Sequence, residues 1–247
     1  MADWNDTSRN AQRLGSVPRA GGDVAGRVSY DEGLRKHMLA IYNYMTSGIL
    51  LTGIVALLAF TSGMAETIHY SPLRWIVGLS PIAIVFAMSF GANRFGTGTL
   101  QAMFWGFAVL MGLSLSSIFL RYTGGSIATS FFATAAAFAG LSLYGYTTKR
   151  SLSGMGSFLI MGVIGLIVAM VINLFLKSPA FHYAISILGV LIFAGLTAYD
   201  TQRLKDEYEM LRGSQFAGKA VILGALTLYL DFINMFQFLL SLLGNRE

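Results

Sequence analysis

The stretch Ala220–Leu243, AVILGALTLYLDFINMFQFLLSLL, is predominantly apolar and carries one charged residue, Asp231. At about 1.5 Å of rise per residue it can cross a hydrocarbon core, which takes roughly 20 apolar residues. Its only polar face is a narrow stripe, in which Gly224, Thr227, Asp231, Asn234 and Phe238 recur at steps of three or four. An ionised carboxyl at membrane depth costs roughly 3 kcal/mol on insertion scales, so this stripe faces the protein interior and needs a partner.

Six further apolar runs of comparable length precede it: Tyr42–Thr61, Trp75–Phe90, Ala102–Leu120, Ile127–Tyr146, Ser157–Leu176 and Tyr183–Asp200. The second is short and carries Pro81. With 55% hydrophobic and 12% charged residues, the composition is that of a chain whose main solvent is lipid. The expected fold is an all-α integral membrane protein of seven transmembrane helices. Residues 36–247 form that domain, and residues 1–35, polar and rich in Arg and Gly, are read as a disordered cytoplasmic tail rather than a signal peptide.

The net charge is +5, and its distribution decides what it means. Thirteen of the 17 Lys and Arg fall before Tyr42 and in segments 91–101, 147–156 and 201–219, the last of them the longest linker between spans, and all of these lie on one side of a seven-span topology. This bias places the amino terminus in the cytoplasm and argues against a nucleic-acid partner. With no cysteine, disulfides, zinc-thiolate sites and thiol catalysis are excluded. His37, His69 and His182 stand at span edges without metal-ligand spacing, and neither a P-loop nor a dinucleotide fingerprint occurs. No cofactor is expected.

Small residues Ala133, Ala136, Ala137 and Gly140 in the fourth span are expected to be packing positions, because helix association in lipid relies on close approach. Ser114, Ser116, Ser117 and Asn173 are expected to bond their own helix carbonyls rather than line a path.

Only two carboxylates remain in the apolar spans, Asp200 at the end of the sixth and Asp231 in the seventh, and they are natural partners. Thr197 shares a face with Asp200, as Thr227 and Asn234 do with Asp231. Depth is the obstacle: Asp200 ends its run, whereas Asp231 lies well inside its own. Contact requires either the sixth helix to continue through about Arg203 or the seventh to start high in the membrane, and the alternative is an Asp200 that stays at the interface beside Gln202 and Arg203. If the two meet, both cannot easily ionise, so they share one proton and act as a switch. Without that proton they repel or recruit a cation, and oxygen ligands of this kind suit calcium.

Three segments, GLTAYDTQRLK over Gly195–Lys205, LGALTLYLDFINMF over Leu223–Phe236 and SLYGYTTKR over Ser142–Arg150, resemble the bacterial branch of the Bax inhibitor-1 (transmembrane Bax inhibitor motif) family. The resemblance covers everything after about residue 35. It implies a seven-helix bundle with the last helix central, a pH-sensitive calcium leak of the bacterial inner membrane, and a pH-sensing pair at Asp200 and Asp231. It also implies a basic latch on the second helix, where this chain has only the flanking Arg74 and Arg94. For some bacterial relatives it implies a different role, as binding partners of a membrane-bound AAA protease.

Enzymatic readings fare worse. Tyr199-Asp200 resembles one half of a presenilin-like aspartyl protease, but the second motif, G-x-G-D, is replaced by Leu228-Tyr229-Leu230-Asp231. A retinal protein needs a lysine within a span, and there is none. A non-enzymatic leak, with lipid, protons and calcium as partners, is the expectation.

Overall fold

A computed structural model of the chain describes the backbone of residues 20–214 and 216–245, with side chains from residue 32 onward. Seven of its helices are long and apolar enough to cross a membrane. They are α1 (Ala20–Thr61), α2 (Leu73–Gly91), α3 (Thr97–Leu115), α4 (Gly124–Thr147), α5 (Ser153–Leu176), α6 (Pro179–Leu211) and α7 (Ala217–Leu243). A short helix, Met64–Tyr70, precedes α2, and a 3₁₀ turn, Ser116–Leu120, follows α3. The described residues contain no strand, so this is an all-α integral membrane protein.

The chain divides into two units, Met1–His37 and Met38–Glu247. Of the tail expected over residues 1–35, the first nineteen lie outside the described residues. From Ala20 the described backbone is helical. No proline lies between Pro18 and Pro72 to stop a helix there.

Within the second unit, α7 is the most enclosed span, with 50% of its apolar window buried against 11% in α2 and α5. It packs along α6 and also against α4 and α3. Tyr229, fully buried, shows how: its hydroxyl lies 2.7 Å from Thr52 of α1, which also donates to the Ala108 carbonyl of α3 at 2.8 Å. Its ring meets Phe104 and Phe107 edge-on. One phenol thus ties three helices, with its polar atom satisfied as lipid surroundings demand. In contrast, α5 exposes Phe158, Ile164, Val168 and Phe175, a face that only lipid would cover without penalty.

Pro81 does not break α2. Its missing N–H would have bonded the Val77 carbonyl, and the Ser80 hydroxyl donates there instead at 3.0 Å. A freed carbonyl in a span is tolerated when a neighbouring side chain takes over.

Two expectations about packing change. The small residues of α4 do not form its packed face, since Ala136, Ala137 and Gly140 are exposed and Gly140 has open space around it. The buried face is instead Ser130, Thr134, Phe138 and Ser142, one residue per turn, because α4 docks through a mixed polar and aromatic stripe. The long linker expected over Thr201–Lys219 is mostly helix: α6 runs to Leu211, and only residues 212–216 connect it to α7. Thr201–Leu211 consists mainly of strong helix formers, with neither Gly nor Pro before Gly213, whose φ of 78° ends the run.

Lysines near this end close helix termini. Lys205 donates to the Tyr146 carbonyl in the last turn of α4 at 2.9 Å, and Lys219 to Ala92, just past α2, at 3.1 Å. Carbonyls at a helix end lack intrahelical donors, so these charges help close the fold.

Candidate functional site

The extension of α6 removes the depth problem. α6 and α7 run antiparallel in close register: Leu204 meets Gly224, Phe193 stacks on Phe238 at 5.9 Å, and Ser186 bonds Ser241 at 3.2 Å. Asp200 therefore falls opposite Asp231, and their carboxyls lie within hydrogen-bonding reach of each other. Both residues are buried, 5% and 4% exposed. The reading of Asp200 as an interfacial residue gives way, because Asp200 is buried against α7 and eleven residues of helix continue beyond it.

Glycines make this approach possible. At Gly145 of α4 a Cβ would stand 2.2 Å from the Ala198 carbonyl oxygen, and at Gly156 of α5 it would stand 2.3 Å from the Tyr199 ring. The segment Ala198-Tyr199-Asp200 is thus gripped by two neighbours that can come close only because they lack side chains. Gly224, on the stripe identified in the sequence, does the same for α7 against Leu204 and Ile41.

A cation also meets the pair, and it does not come from α2. Arg203, three residues along α6, places Nη1 3.0 Å from Asp200 Oδ1 and Nε 3.3 Å from Glu207, with its guanidinium over the Tyr199 ring. This i,i+3 and i,i+4 arrangement is visible in the sequence once α6 is known to reach that far. The bundle's electrostatics follow from counting. With one proton on the pair, Asp200, Asp231 and Arg203 sum to zero, and without it they carry one net negative charge, to which Glu207, sharing the same guanidinium, adds. Asp231 Oδ2 has no hydrogen-bond partner among the described residues, so nothing else there offsets that charge.

The polar residues expected to support the pair are not brought to it. Thr197 donates to the Phe193 carbonyl at 2.8 Å, Thr227 to Leu223 at 3.1 Å and Asn234 to Leu230 at 2.8 Å. Each bonds the carbonyl four residues back in its own helix, the cheapest partner in an apolar setting. Ser116 and Ser117 donate to the carbonyls three residues back, Leu113 and Ser114, as expected of local bonding, whereas Asn173 accepts from the Ser178 backbone at the end of α5.

Gln202 is the residue that sequence reasoning passed over. Its Oε1 accepts from the Leu152 amide at 2.7 Å and its Nε2 donates to the Arg150 carbonyl at 2.9 Å, which pins the α4–α5 connection to α6 beside the pair. Gln202→Leu leaves a buried amide and a carbonyl without partners. The expected loss is about 1–3 kcal/mol, read as a lower melting temperature of the purified protein.

This geometry defines a multi-pass membrane protein built around a buried carboxyl pair on its two most tightly packed helices. Comparison with known proteins gives the class a family. The family model described as inhibitor of apoptosis-promoting Bax1 matches residues 34–247. An uncharacterized protein of Caulobacter vibrioides is 46% identical across 98% of this chain and 100% of its own length. The inner membrane protein YbhL of Escherichia coli is 44% identical across 87% of this chain and 94% of its own. A further relative, from Rickettsia prowazekii, is 45% identical across 89% and 93%. The chain belongs to the Bax inhibitor-1 family.

Proposed function

We propose that the protein is a pH-sensitive calcium leak of a bacterial inner membrane, with its amino terminus cytoplasmic, and that the Asp200–Asp231 pair is its switch. The observation that carries this reading is the contact of two buried carboxyls at one position between α6 and α7. Two carboxylates at that separation need a bridging proton, which holds the helices together. When the proton leaves, the uncompensated charge favours a cation at the same oxygens. Calcium is cargo here rather than a resident ion. Two carboxyls fall far short of the six to eight oxygens of a tight site, so occupancy is brief. No bond of the cargo is made or broken, which is a transport role rather than an enzymatic one.

Protons and calcium compete for the same oxygens, so calcium binding to the purified protein weakens as pH falls. Liposomes loaded with a calcium dye test the whole reading. Flux through the wild type should change between pH 6 and pH 8, values chosen to bracket neutrality as roughly the range in which such a pair acts as a switch. A flux that is the same at both ends, or no flux above empty liposomes, removes the proposal.

A further inference from the structure

At the end of the bundle opposite the α6–α7 connection, a cavity of about 770 Å³ lies between the end of α3, the α5–α6 connection and the last turns of α7. It shares no residue with the aspartate pair. Among the described residues its charged lining is of one sign: Arg121 and Lys177, both exposed, face it, and no described Asp or Glu lines it. Neither cation has an ion pair or hydrogen bond from its side chain among the described residues. Polar groups complete the wall. His182 Nε2 lies 2.7 Å from Ser241 Oγ, and Ser117 and Gln237 also contribute. Gln237 is informative because it is exposed although α7 is the most enclosed helix, so the cavity is open to polar contents rather than packed with side chains. The N-terminal turn of α6, beginning at Pro179, opens on the same space and adds its positive end.

We infer that this cavity is an oxyanion site, which takes a phosphate-type group. Two cations on different connections, a helix N-terminus, Gln237 and the one donor that the bonded His182–Ser241 pair leaves free are the elements that recognise such a group. The volume admits a group larger than a single ion, such as a phosphate carrying a small alcohol. That chemistry is offered both by a soluble phosphate and by an anionic lipid headgroup. The inference stands apart from the calcium reading, since neither Asp200 nor Asp231 takes part.

The test uses the full chain purified in detergent. Inorganic phosphate is titrated calorimetrically against chloride at matched ionic strength. Separately, native mass spectrometry from mixed phosphatidylglycerol and phosphatidylcholine micelles reads which lipid is retained. Saturable phosphate binding alone assigns a soluble oxyanion, and selective phosphatidylglycerol retention alone assigns a headgroup; both together assign a site open to either, and all three support the inference. Arg121→Gln should lower the affinity about tenfold. Lys177→Gly should do the same without endangering the fold, because Lys177 has a φ of 48°, a conformation that glycine adopts more readily. Lys149→Gln, an exposed lysine on the α4–α5 connection at the other end, should change nothing. Absence of both phosphate binding and phosphatidylglycerol preference, or variants at Arg121 and Lys177 that bind like the wild type, would overturn the assignment.

Discussion

Asp231→Asn is expected to abolish the pH dependence of calcium flux while the bundle stays folded. Asparagine keeps the volume of the buried side chain and still offers an N–H to Asp200, so the contact between α6 and α7 survives. Arg203, 3.0 Å from Asp200 and shared with Glu207, then faces a single ionised carboxylate of the pair. No step in local charge is left for a proton to control. The change in stability should stay within about 1 kcal/mol, because a hydrogen bond replaces a shared proton and no charge is left unpaired. Calcium affinity should fall by roughly an order of magnitude or more, since one of two charged ligands is gone. The measurement pairs liposome flux at two pH values with thermal unfolding. A variant that unfolds at the wild-type temperature and still responds to pH would show that Asp231 is not the switch.

Gly145→Val should be the most damaging single change in the packed helices. The Cβ it introduces would lie 2.2 Å from the Ala198 carbonyl oxygen and 3.0 Å from the carbonyl carbon. Both are backbone atoms and cannot rotate away as a side chain could. α4 and α6 must move apart, and overpacking that a core cannot relieve costs about 3 kcal/mol or more. Asp200 is two residues from the clash, so whatever protein survives should also lose pH-dependent flux. Gly140→Val supplies the contrast on the same helix. Nothing lies within reach of its Cβ, and its exposed position should accept the extra methyls with little effect on melting temperature. If the two substitutions melt alike, close approach at Gly145 is not what holds α4 against α6.

How far the sequence could be read depended on the kind of signal. Hydropathy over some 20 residues is a sum, so small local errors cancel, and all seven spans fall where the apolar runs lie. The two intramembrane carboxylates stand out for the same reason, as rare costly residues against a uniform background. Where α6 ends is a different matter. Hydropathy stops at Asp200, but helix geometry continues through the charged segment to Leu211 because backbone hydrogen bonding does not require apolar side chains. The expected linker was therefore helix, and the Arg203 cation that meets the pair went unassigned.

The roles of individual small and polar residues were least legible. Gly140 and Gly145 differ by five positions on one helix, and Ala136 looks as suited to packing as either. Yet only Gly145 abuts another backbone, because the neighbour's position, not the residue type, decides what fills the space. Thr197, Thr227 and Asn234 share faces with the aspartates but bond their own helices, since a carbonyl one turn back is always within reach. Composition and periodicity were enough to establish a seven-span membrane protein with two anomalous carboxyls, because burial energy accumulates along the chain. That those carboxyls meet, with Arg203 beside them and glycines pressing in, came only from the antiparallel register of α6 and α7. Register is set by contacts between residues far apart in sequence, and no local pattern encodes it.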